Sequence, residues 1–337
     1  MHGYFGNSEL STGYSCLMEK LVASWRKLWS ATPSTTDPNA PFGLVTLAPS
    51  GSEGGKSIGT MRWAQTAGYG VTPNPALPNV FTAQAFDLDD PFANITCYHA
   101  VGCHDNSPVP PGGWPGGCDQ YCASVKTTNF YMGPIHPRDK RPVGSRLAQV
   151  AMSVAYGTDG VTTGPTVSGC KYDESAQTVT VFFNDTLLKR GDDSVVVQSH
   201  YKGTDPKFPF PASKMEVLTN ASLFCMQLGG GGCLDDGTGK PFNASWSDTV
   251  VWKIANISLG SSANQVVIDL RVTNGTAFAI RYAQNGDCCS ENPATSGPCI
   301  PGSCPIVGSN SKLPANPFTA KIVNGKCECI APQVCDQ

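Results

Sequence analysis

The sequence contains little charge, and that charge is nearly balanced. Charged residues make up 15% of the 337 residues, and the formal net charge is −3. There is no basic footprint of the kind that binds a phosphate backbone, which argues against nucleic acid as a partner. No apolar run approaches the length needed to cross a bilayer, so we expect no membrane span.

Several familiar site motifs are also missing. Gly51 and Ser52 lie in a glycine-rich stretch, but the spacing there differs from that of a nucleophile elbow. Lys56 and Ser57 lack the glycine frame of a phosphate-binding loop. The run CYHAVGCH has the residue types of a zinc site without its usual paired spacing. We therefore expect no cofactor and no metal, and disulfides are favoured for this loop.

Cysteine, by contrast, is abundant. A reducing cytosol rarely holds a chain of this length with 15 cysteines. Six Asn-X-Ser/Thr sequons point the same way: Asn94, Asn184, Asn220, Asn243, Asn256 and Asn274. Together they predict N-glycosylation in the secretory pathway, and the alternative is a cytosolic protein with reduced thiols. The start, MHGYFGNSEL, does not have the pattern of a signal peptide, which suggests that the sequence begins inside a longer protein.

The first third alternates between helical and strand patterns. Residues 15–29 predict a helix with a stripe of Leu17, Leu21, Trp25 and Leu28. Two apolar runs, residues 42–47 and 80–86, predict buried strands, and residues 61–68 predict a short helix between them. This alternation is typical of a parallel α/β sheet.

Sites in such sheets form beyond the carboxyl ends of the strands. Asp87, Asp89 and Asp90 follow the second predicted strand, so they are acid candidates, although a solvated loop is the favoured interpretation of the last two. Residues 90–131 read as an inserted loop with four cysteines: Cys97, Cys103, Cys118 and Cys122. Its aromatic residues are candidates for stacking on a sugar ring.

His136 lies in a rigid setting, with Gly133 and Pro134 before it and Pro137 after it. Pro142 suits the first turn of a helix, and Gly157 can end that helix in a left-handed conformation. The apolar positions of this helix are Val143, Leu147, Val150, Ala151 and Val154, and the polar residues, including Arg146, are predicted on the opposite face. His136 would thus be held at the mouth of a buried helix, either as a catalytic base or as a structural histidine.

Beyond Gly157 the pattern changes to short β-rich runs separated by Gly, Asn, Asp and Pro. Such runs predict antiparallel strands. Residues 286–337 hold seven cysteines and read as a disulfide-stapled tail. We therefore predict three regions: a partial α/β domain at 1–160, a β-rich domain at 161–285 and the tail at 286–337.

Several stretches resemble the sialate O-acetylesterase family, which comprises SGNH-type carbohydrate acetylesterases. They are HPRDKRPVGSRLA around His136, CLMEKLVASWRKLW (16–29), MRWAQTAGYGVTPNPALPN (61–79), VFTAQAFDLDDPF (80–92) and FAIRYA (278–283). The resemblance covers most of the chain, but only the carboxy-terminal half of the family's usual length. It implies a flavodoxin-like parallel sheet, no metal, and hydrolysis of O-acetyl esters of sialic acids or related sugars.

The resemblance also assigns roles to individual residues. It makes His136 the catalytic histidine, and it matches Arg62 and Gln65 to positions that line the cleft. The acid partner stays open between Asp87, Asp139 and no carboxylate at all. Gly6 is a weakly matched oxyanion candidate, and the family's G-Q-S-N nucleophile motif has no counterpart here. Ser8 has too few residues before it to complete the usual strand and turn.

Three functional hypotheses follow. The first is a secreted or lysosomal carbohydrate acetylesterase whose nucleophile segment is missing from this chain, so that the chain alone is inactive. The second is a non-catalytic, glycan-binding or residual relative. The third is a metal-dependent protein that uses the Cys/His loop.

Overall fold

A computed structural model describes residues 12–48, 58–88, 140–198, 215–219, 252–271, 273, 275–283, 302 and 304–331. Within these ranges the chain is a mixed α/β protein with few helices and a large antiparallel sheet. No helix in the described ranges is long and apolar enough to cross a membrane. The Cys-rich loop at 90–131 lies entirely outside them, and the part of the tail that they include begins at residue 302.

A parallel strand pair forms the centre of the first region, as the alternating pattern predicts. Strand β1 (Phe42–Val45) pairs with β2 (Val80–Ala83), and Phe42 lies opposite Val80. Helix α2 (Ile58–Gln65) lies between them in sequence. Helix α3 (Arg141–Val154) packs against both strands, with Val150 fully buried beside Phe81. The parallel pair therefore has a helix laid across it.

Helix α3 begins and ends much as its sequence predicts. Pro142 lies in its first turn, where a missing N–H leaves no hydrogen bond unmade. Gly157, just past the end of the helix, has a φ of +69°, a left-handed conformation that glycine adopts readily.

Helix α1 (Thr12–Trp29) ends at the predicted residue and begins three residues before the predicted start at residue 15. Leu17, Leu21, Trp25 and Leu28 are all exposed, and Leu28 keeps 69% of its surface. The buried row consists instead of Met18, Val22 and Arg26, and the first two pack against Leu44 and Val80. The stripe of leucine and tryptophan is therefore not the face of α1 that packs against the strands.

The large sheet has nine strands. Its antiparallel pairing agrees with the strands predicted beyond Gly157, although β12 and β13 lie in the predicted tail. The strands run in the order β7-β6-β10-β12-β13-β3-β4-β9-β8. Their bounds are β3 (Val167–Asp173), β4 (Thr178–Phe183), β6 (Glu216–Leu218), β7 (Trp252–Ile254), β8 (Asn256–Leu259), β9 (Gln265–Asp269), β10 (Ala279–Tyr282), β12 (Phe318–Val323) and β13 (Lys326–Ala331). Helix α4 (Asp185–Arg190) follows β4, and a separate pair joins β5 (Val195–Val197) to β11 (Ile306–Gly308).

This sheet curls around its own core. Val217 of β6 and Ile268 of β9 belong to one buried cluster, although β6 is second and β9 eighth in the strand order. Strands β7 and β8, at opposite ends of the order, are separated in sequence by Ala255 alone. One stretch, residues 252–259, thus contributes to both ends of the sheet, with Ala255 buried at the corner.

A disulfide reinforces the middle of the order. Strands β13 and β3 share one registered pair, Lys326 with Lys171, among the residues described. Beside it, Cys170 and Cys327 form a disulfide with a Cα–Cα distance of 5.0 Å. The bridge therefore ties the two halves of the sheet where their pairing is shortest.

Candidate functional site

The carboxyl ends of β1 and β2 carry buried polar side chains. Thr46 follows β1, and Gln84 and Asp87 follow β2; all three are buried, and Asp87 has no exposed surface. Because both strands run in the same direction, these side chains meet at one edge of the parallel pair. This edge is the region where the α/β pattern predicts a site.

Asp87 is held in a buried ion pair with Arg146 of α3. The two guanidinium nitrogens Nη1 and Nη2 donate to Oδ1 and Oδ2 at 2.5 and 2.6 Å. The backbone N–H of Gly302 donates to Oδ2 at 2.8 Å. Arg146 Nη1 also donates to the carbonyl oxygen of Gln84 at 2.6 Å. A two-pronged pair of this kind balances the buried charges and fixes the position of α3 against the strand ends.

The burial of Arg146 corrects the sequence-based orientation of α3. The helical pattern placed Arg146 with the outward polar residues, whereas its exposed fraction is only 6%. The reason is its partner: Asp87, 59 residues earlier, supplies the charge that makes burial tolerable. Val150 is buried as predicted.

A chain of hydrogen bonds continues from this edge into the β-rich region. Thr46 Oγ1 donates to Gln84 Oε1 at 2.6 Å, and Gln84 Nε2 donates to Asn316 Oδ1 at 2.7 Å. Asn316 Nδ2 then donates to Thr163 Oγ1 and Thr166 Oγ1, both at 2.8 Å. Because buried amides need partners, this relay fixes the parallel pair to the segments around residues 163–166 and 316.

Close backbone packing supports the relay. The carbonyl oxygen of Gly164 accepts a hydrogen bond from Asn316 Nδ2 at 3.2 Å. A Cβ atom added to Gly164 would lie 2.0 Å from the carbonyl oxygen of Pro314. Only glycine therefore fits at this position without moving the backbone.

Arg62 and Gln65 lie on α2 and bind backbone groups around the end of β1. Gln65 donates from Nε2 to the carbonyl oxygen of Val45 at 3.1 Å and accepts at Oε1 from the N–H of Leu47 at 3.0 Å. Arg62 donates from Nε to the carbonyl oxygen of Leu47 at 3.1 Å, and from Nη1 to that of Ala283 at 2.8 Å. These contacts give both residues a part in holding the strand end, and a role in lining a cleft stays a prediction.

Two fully buried aromatic residues, Phe86 and Tyr282, lie near these strand ends. The Arg62 guanidinium carbon lies 5.0 Å from the centre of the Phe86 ring. Tyr282 is fully buried, and its hydroxyl oxygen accepts a hydrogen bond from the N–H of Ile306 at 3.4 Å. Burial raises the pKa of Tyr282 above its ordinary value, and the negative charge of Asp87 raises it further. Tyr282 therefore stays a neutral phenol.

Among the predicted site residues, the structure describes Asp87, Arg62 and Gln65, and it brings all three to the ends of β1 and β2. His136, Asp139 and Gly6 lie outside the described residues, as do Ser8, Ser52, Asp89 and Asp90. The described chain resumes at Lys140, one residue before α3 begins. Two of the six sequon asparagines are described: Asn184, which is half-buried, and Asn256, which is exposed.

Sequence reasoning passed over Thr46, Gln84 and Asn316. One local signal was available for Gln84: a lone amide directly after an apolar strand run needs a partner if the strand is buried. Nothing near residue 316 indicates that it is that partner, because the two positions are 232 residues apart. In the described ranges no three His, Cys, Asp or Glu side chains cluster as a metal site would require.

Comparison with curated proteins finds relatives named sialate O-acetylesterase. The rat (Rattus norvegicus) protein is 26% identical over 316 residues, which are 92% of this chain and 41% of that protein. The mouse (Mus musculus) protein is 26% identical over 314 residues, with the same two shares. The human protein is 25% identical over 328 residues, or 95% of this chain and 45% of that protein. The chain thus spans less than half the length of these relatives.

Among solved structures, a carbohydrate acetylesterase from Xanthomonas citri matches with a TM-score of 0.48 at 17% identity, over 93% of this chain and 47% of that protein. No protein-family model matches the chain. The resemblance to the sialate O-acetylesterase family is nevertheless confirmed, by curated relatives that match 92–95% of the chain.

Proposed function

We propose that this chain is part of a carbohydrate acetylesterase that removes O-acetyl groups from sialic acids or related sugars in the secretory pathway. The observation that carries the proposal is the match, over 92–95% of the chain, to relatives named sialate O-acetylesterase. In this proposal residues 1–160 belong to an SGNH-type, flavodoxin-like domain, residues 161–285 to a β-rich domain and residues 286–337 to a Cys-rich tail.

The chemistry is acyl transfer through a serine and a histidine. His136 takes the proton of the serine hydroxyl as that oxygen attacks the acetyl carbonyl, and then returns a proton to the sugar oxygen that leaves. Backbone N–H donors stabilise the oxyanion, and Gly6 is the candidate within this chain. Water then releases acetate from the acyl-serine by the same steps. The parallel pair supports this assignment because α3, which starts five residues after His136, is held at the strand ends by Arg146.

The acid partner of His136 is either Asp87 or Asp139, or the histidine acts without one. Both carboxylate oxygens of Asp87 already accept hydrogen bonds, from Arg146 and Gly302. An oxygen so engaged is a weaker acceptor for an imidazole N–H, which favours Asp87 as an anchor and Asp139 as the carboxylate to test first.

The nucleophile of this proposal comes from a segment that carries the family's G-Q-S-N motif, which the chain does not contain. Two serines are poor replacements: Ser8 has too few residues before it for the usual strand and turn, and Ser52 lacks the spacing of a nucleophile elbow. The chain alone is therefore expected to be inactive.

The role of His136 is tested in a form of the protein that includes this serine. We expect His136→Ala to lower turnover of an O-acetylated sialic acid by about 10²–10⁴-fold, the range for a lost general base. Lys189→Ala, at an exposed position of α4, is the control, with turnover close to that of the parent. If folded His136→Ala protein keeps its turnover, His136 is not the base. If the serine-containing parent is itself inactive, a non-catalytic relative is the better description.

The isolated chain is tested with a fluorophosphonate probe and an acetyl ester. We expect neither labelling nor enzymatic hydrolysis, because labelling requires an activated serine. Stoichiometric labelling of Ser8, together with hydrolysis that His136→Ala abolishes, would make Ser8 the nucleophile and overturn this expectation.

A further inference from the structure

Strand β8 forms an open end of the large sheet. It pairs with β9 in an unbroken register from Asn256 opposite Asp269 to Leu259 opposite Val266. In the part of the chain that the structure describes, no strand pairs with its other side. Among the described residues, β5 packs close to β8 without pairing with it. A strand side with no paired neighbour can pair with a strand of another molecule.

The usual protections of such an edge are missing from β8. Natural edge strands carry charged residues, proline or a bulge, which obstruct pairing with a second molecule. The sequence of β8 is Asn-Ile-Ser-Leu, with no charge and no proline, and its register contains no shift. Asn256, Ser258 and Leu259 are exposed, and Leu259 keeps 53% of its surface. An edge with this composition is a template for strand addition.

What β8 does carry is a glycosylation sequon at Asn256, Ile257 and Ser258. Ile257 packs against the main core. Because side chains alternate along a strand, Asn256 and Ser258 point away from the core, where both are exposed. The buried corner at Ala255 fixes the residue just before Asn256, so a sugar attached there projects from the beginning of the edge.

The second described sequon has a different setting. Asn184 is half-buried, and its Oδ1 accepts a hydrogen bond from the N–H of Leu187 at 3.0 Å, so it caps α4. Thr186, the third residue of that sequon, is exposed. A glycan at Asn184 would lie beside α4 and would not protect the edge of β8.

We propose that Asn256 carries an N-linked glycan whose function is to keep the edge of β8 from pairing with another chain. A strand that adds to this edge must come within about 4.8 Å of β8 and place its side chains along both faces of the sheet. A branched sugar at Asn256 occupies one of those faces and excludes the incoming strand. The proposal rests on the secretory-pathway part of the proposed function, because N-glycans are added there, but it needs no catalytic activity.

The test compares two sequon variants of the full chain secreted from a glycosylating eukaryotic host. Ser258→Ala removes the Asn256 sequon, and Thr186→Ala removes the Asn184 sequon while leaving the asparagine cap in place. Glycopeptide mass spectrometry measures occupancy, and size-exclusion chromatography with light scattering measures association. We expect Asn256 to be occupied in the parent, and Ser258→Ala to lose one glycan and shift to higher-mass species. We expect no such shift for Thr186→Ala.

A rescue variant distinguishes association through an unprotected β8 edge from association caused by misfolding. Leu259→Lys adds a charge to the edge, so Ser258→Ala/Leu259→Lys is expected to elute at the parent's position without the glycan. An unmodified Asn256 in the secreted parent overturns the proposal. So does a Ser258→Ala chain that associates no more than the parent, or a shift that Leu259→Lys leaves unchanged.

Discussion

At the scale of single residues, the ion pair of Asp87 and Arg146 decides how α3 sits on the strands. Both side chains are buried, so each relies on the other to offset its loss of hydration. The pair that joins Asp269 to Arg271 has a similar two-pronged geometry but lies at the surface, where the Arg271 side chain keeps 75% of its area. Solvent screens such a pair, so it contributes little to the free energy of unfolding.

We expect Asp87→Asn to lower the free energy of unfolding by about 3–5 kcal/mol, because it leaves the Arg146 charge buried without a counter-charge. Asp269→Asn is the control and should unfold close to the parent. Urea denaturation followed by circular dichroism measures both. Replacing the pair by Asp87→Leu/Arg146→Met should restore much of the loss. An Asp87→Asn midpoint equal to that of Asp269→Asn would contradict this account.

The sequence predicted Asp87 as a residue of the strand-end site but not the partner that holds it. Helical spacing predicts that Arg146 is exposed, because spacing takes no account of the other elements that pack against the helix. What buries it is a carboxylate brought in by β2, and that proximity exists only in the folded chain. The hydrogen bond between Gln84 and Asn316 could not be predicted for the same reason, because the two residues are 232 positions apart in sequence.

At the scale of elements, Gln65 substitutes for a neighbouring strand. The N–H groups of Phe42 and Thr46 point to β2, so Val45 and Leu47, at alternate positions, direct their backbone groups to the other side. There the Gln65 amide accepts from one N–H and donates to one carbonyl, as a peptide group of a paired strand would.

We expect Gln65→Leu to destabilise the chain by about 1–3 kcal/mol, because it leaves buried backbone groups of β1 without partners. Gln177→Leu, at the turn between β3 and β4, is the comparison and should have a smaller effect. Amide hydrogen exchange should quicken at Leu47 in the first variant only. Unchanged protection of Leu47 would show that the Gln65 amide does not hold this strand end.

Helix α1 shows why spacing can locate a helix without identifying its buried face. Its bounds follow from periodicity, but it carries two apolar rows, one of Leu17, Leu21, Trp25 and Leu28 and another of Met18 and Val22. Hydrophobicity alone would favour burial of the first row, which is longer. The hydrogen bond from Arg26 Nε to the carbonyl oxygen of Ala40, at 2.9 Å, fixes the second row against the strands.

At the scale of the whole molecule, the curled sheet depends on two connections between its halves. One is the shared stretch at residues 252–259, and the other is the disulfide of Cys170 and Cys327 beside a short strand pairing. Cysteine abundance predicted disulfides in general. It did not predict this pair, because the partners are 157 residues apart and pairing cannot be deduced from spacing.

We expect the double variant Cys170→Ala/Cys327→Ala to lose about 2–5 kcal/mol of stability, since a large closed loop is opened. Hydrogen exchange should quicken most in β3 and β13, where the registered pairing is shortest. Cys16→Ser, which changes an exposed free thiol, is the control and should melt with the parent. Equal melting of the double variant and the control would show that the bridge adds nothing to the sheet.

The relay from Gln84 to Asn316 has a consequence for synthesis of the protein. A ribosome adds about 5–20 residues per second, so residue 316 follows residue 84 by roughly 12–46 seconds. During that interval the Gln84 amide has no Asn316 to bind. The carboxylate of Asp87 likewise lacks its partners until Arg146 and then Gly302 have been synthesised. The parallel pair is therefore left incomplete on the nascent chain, and its polar end must stay hydrated or be held by a chaperone until residue 316 has been synthesised.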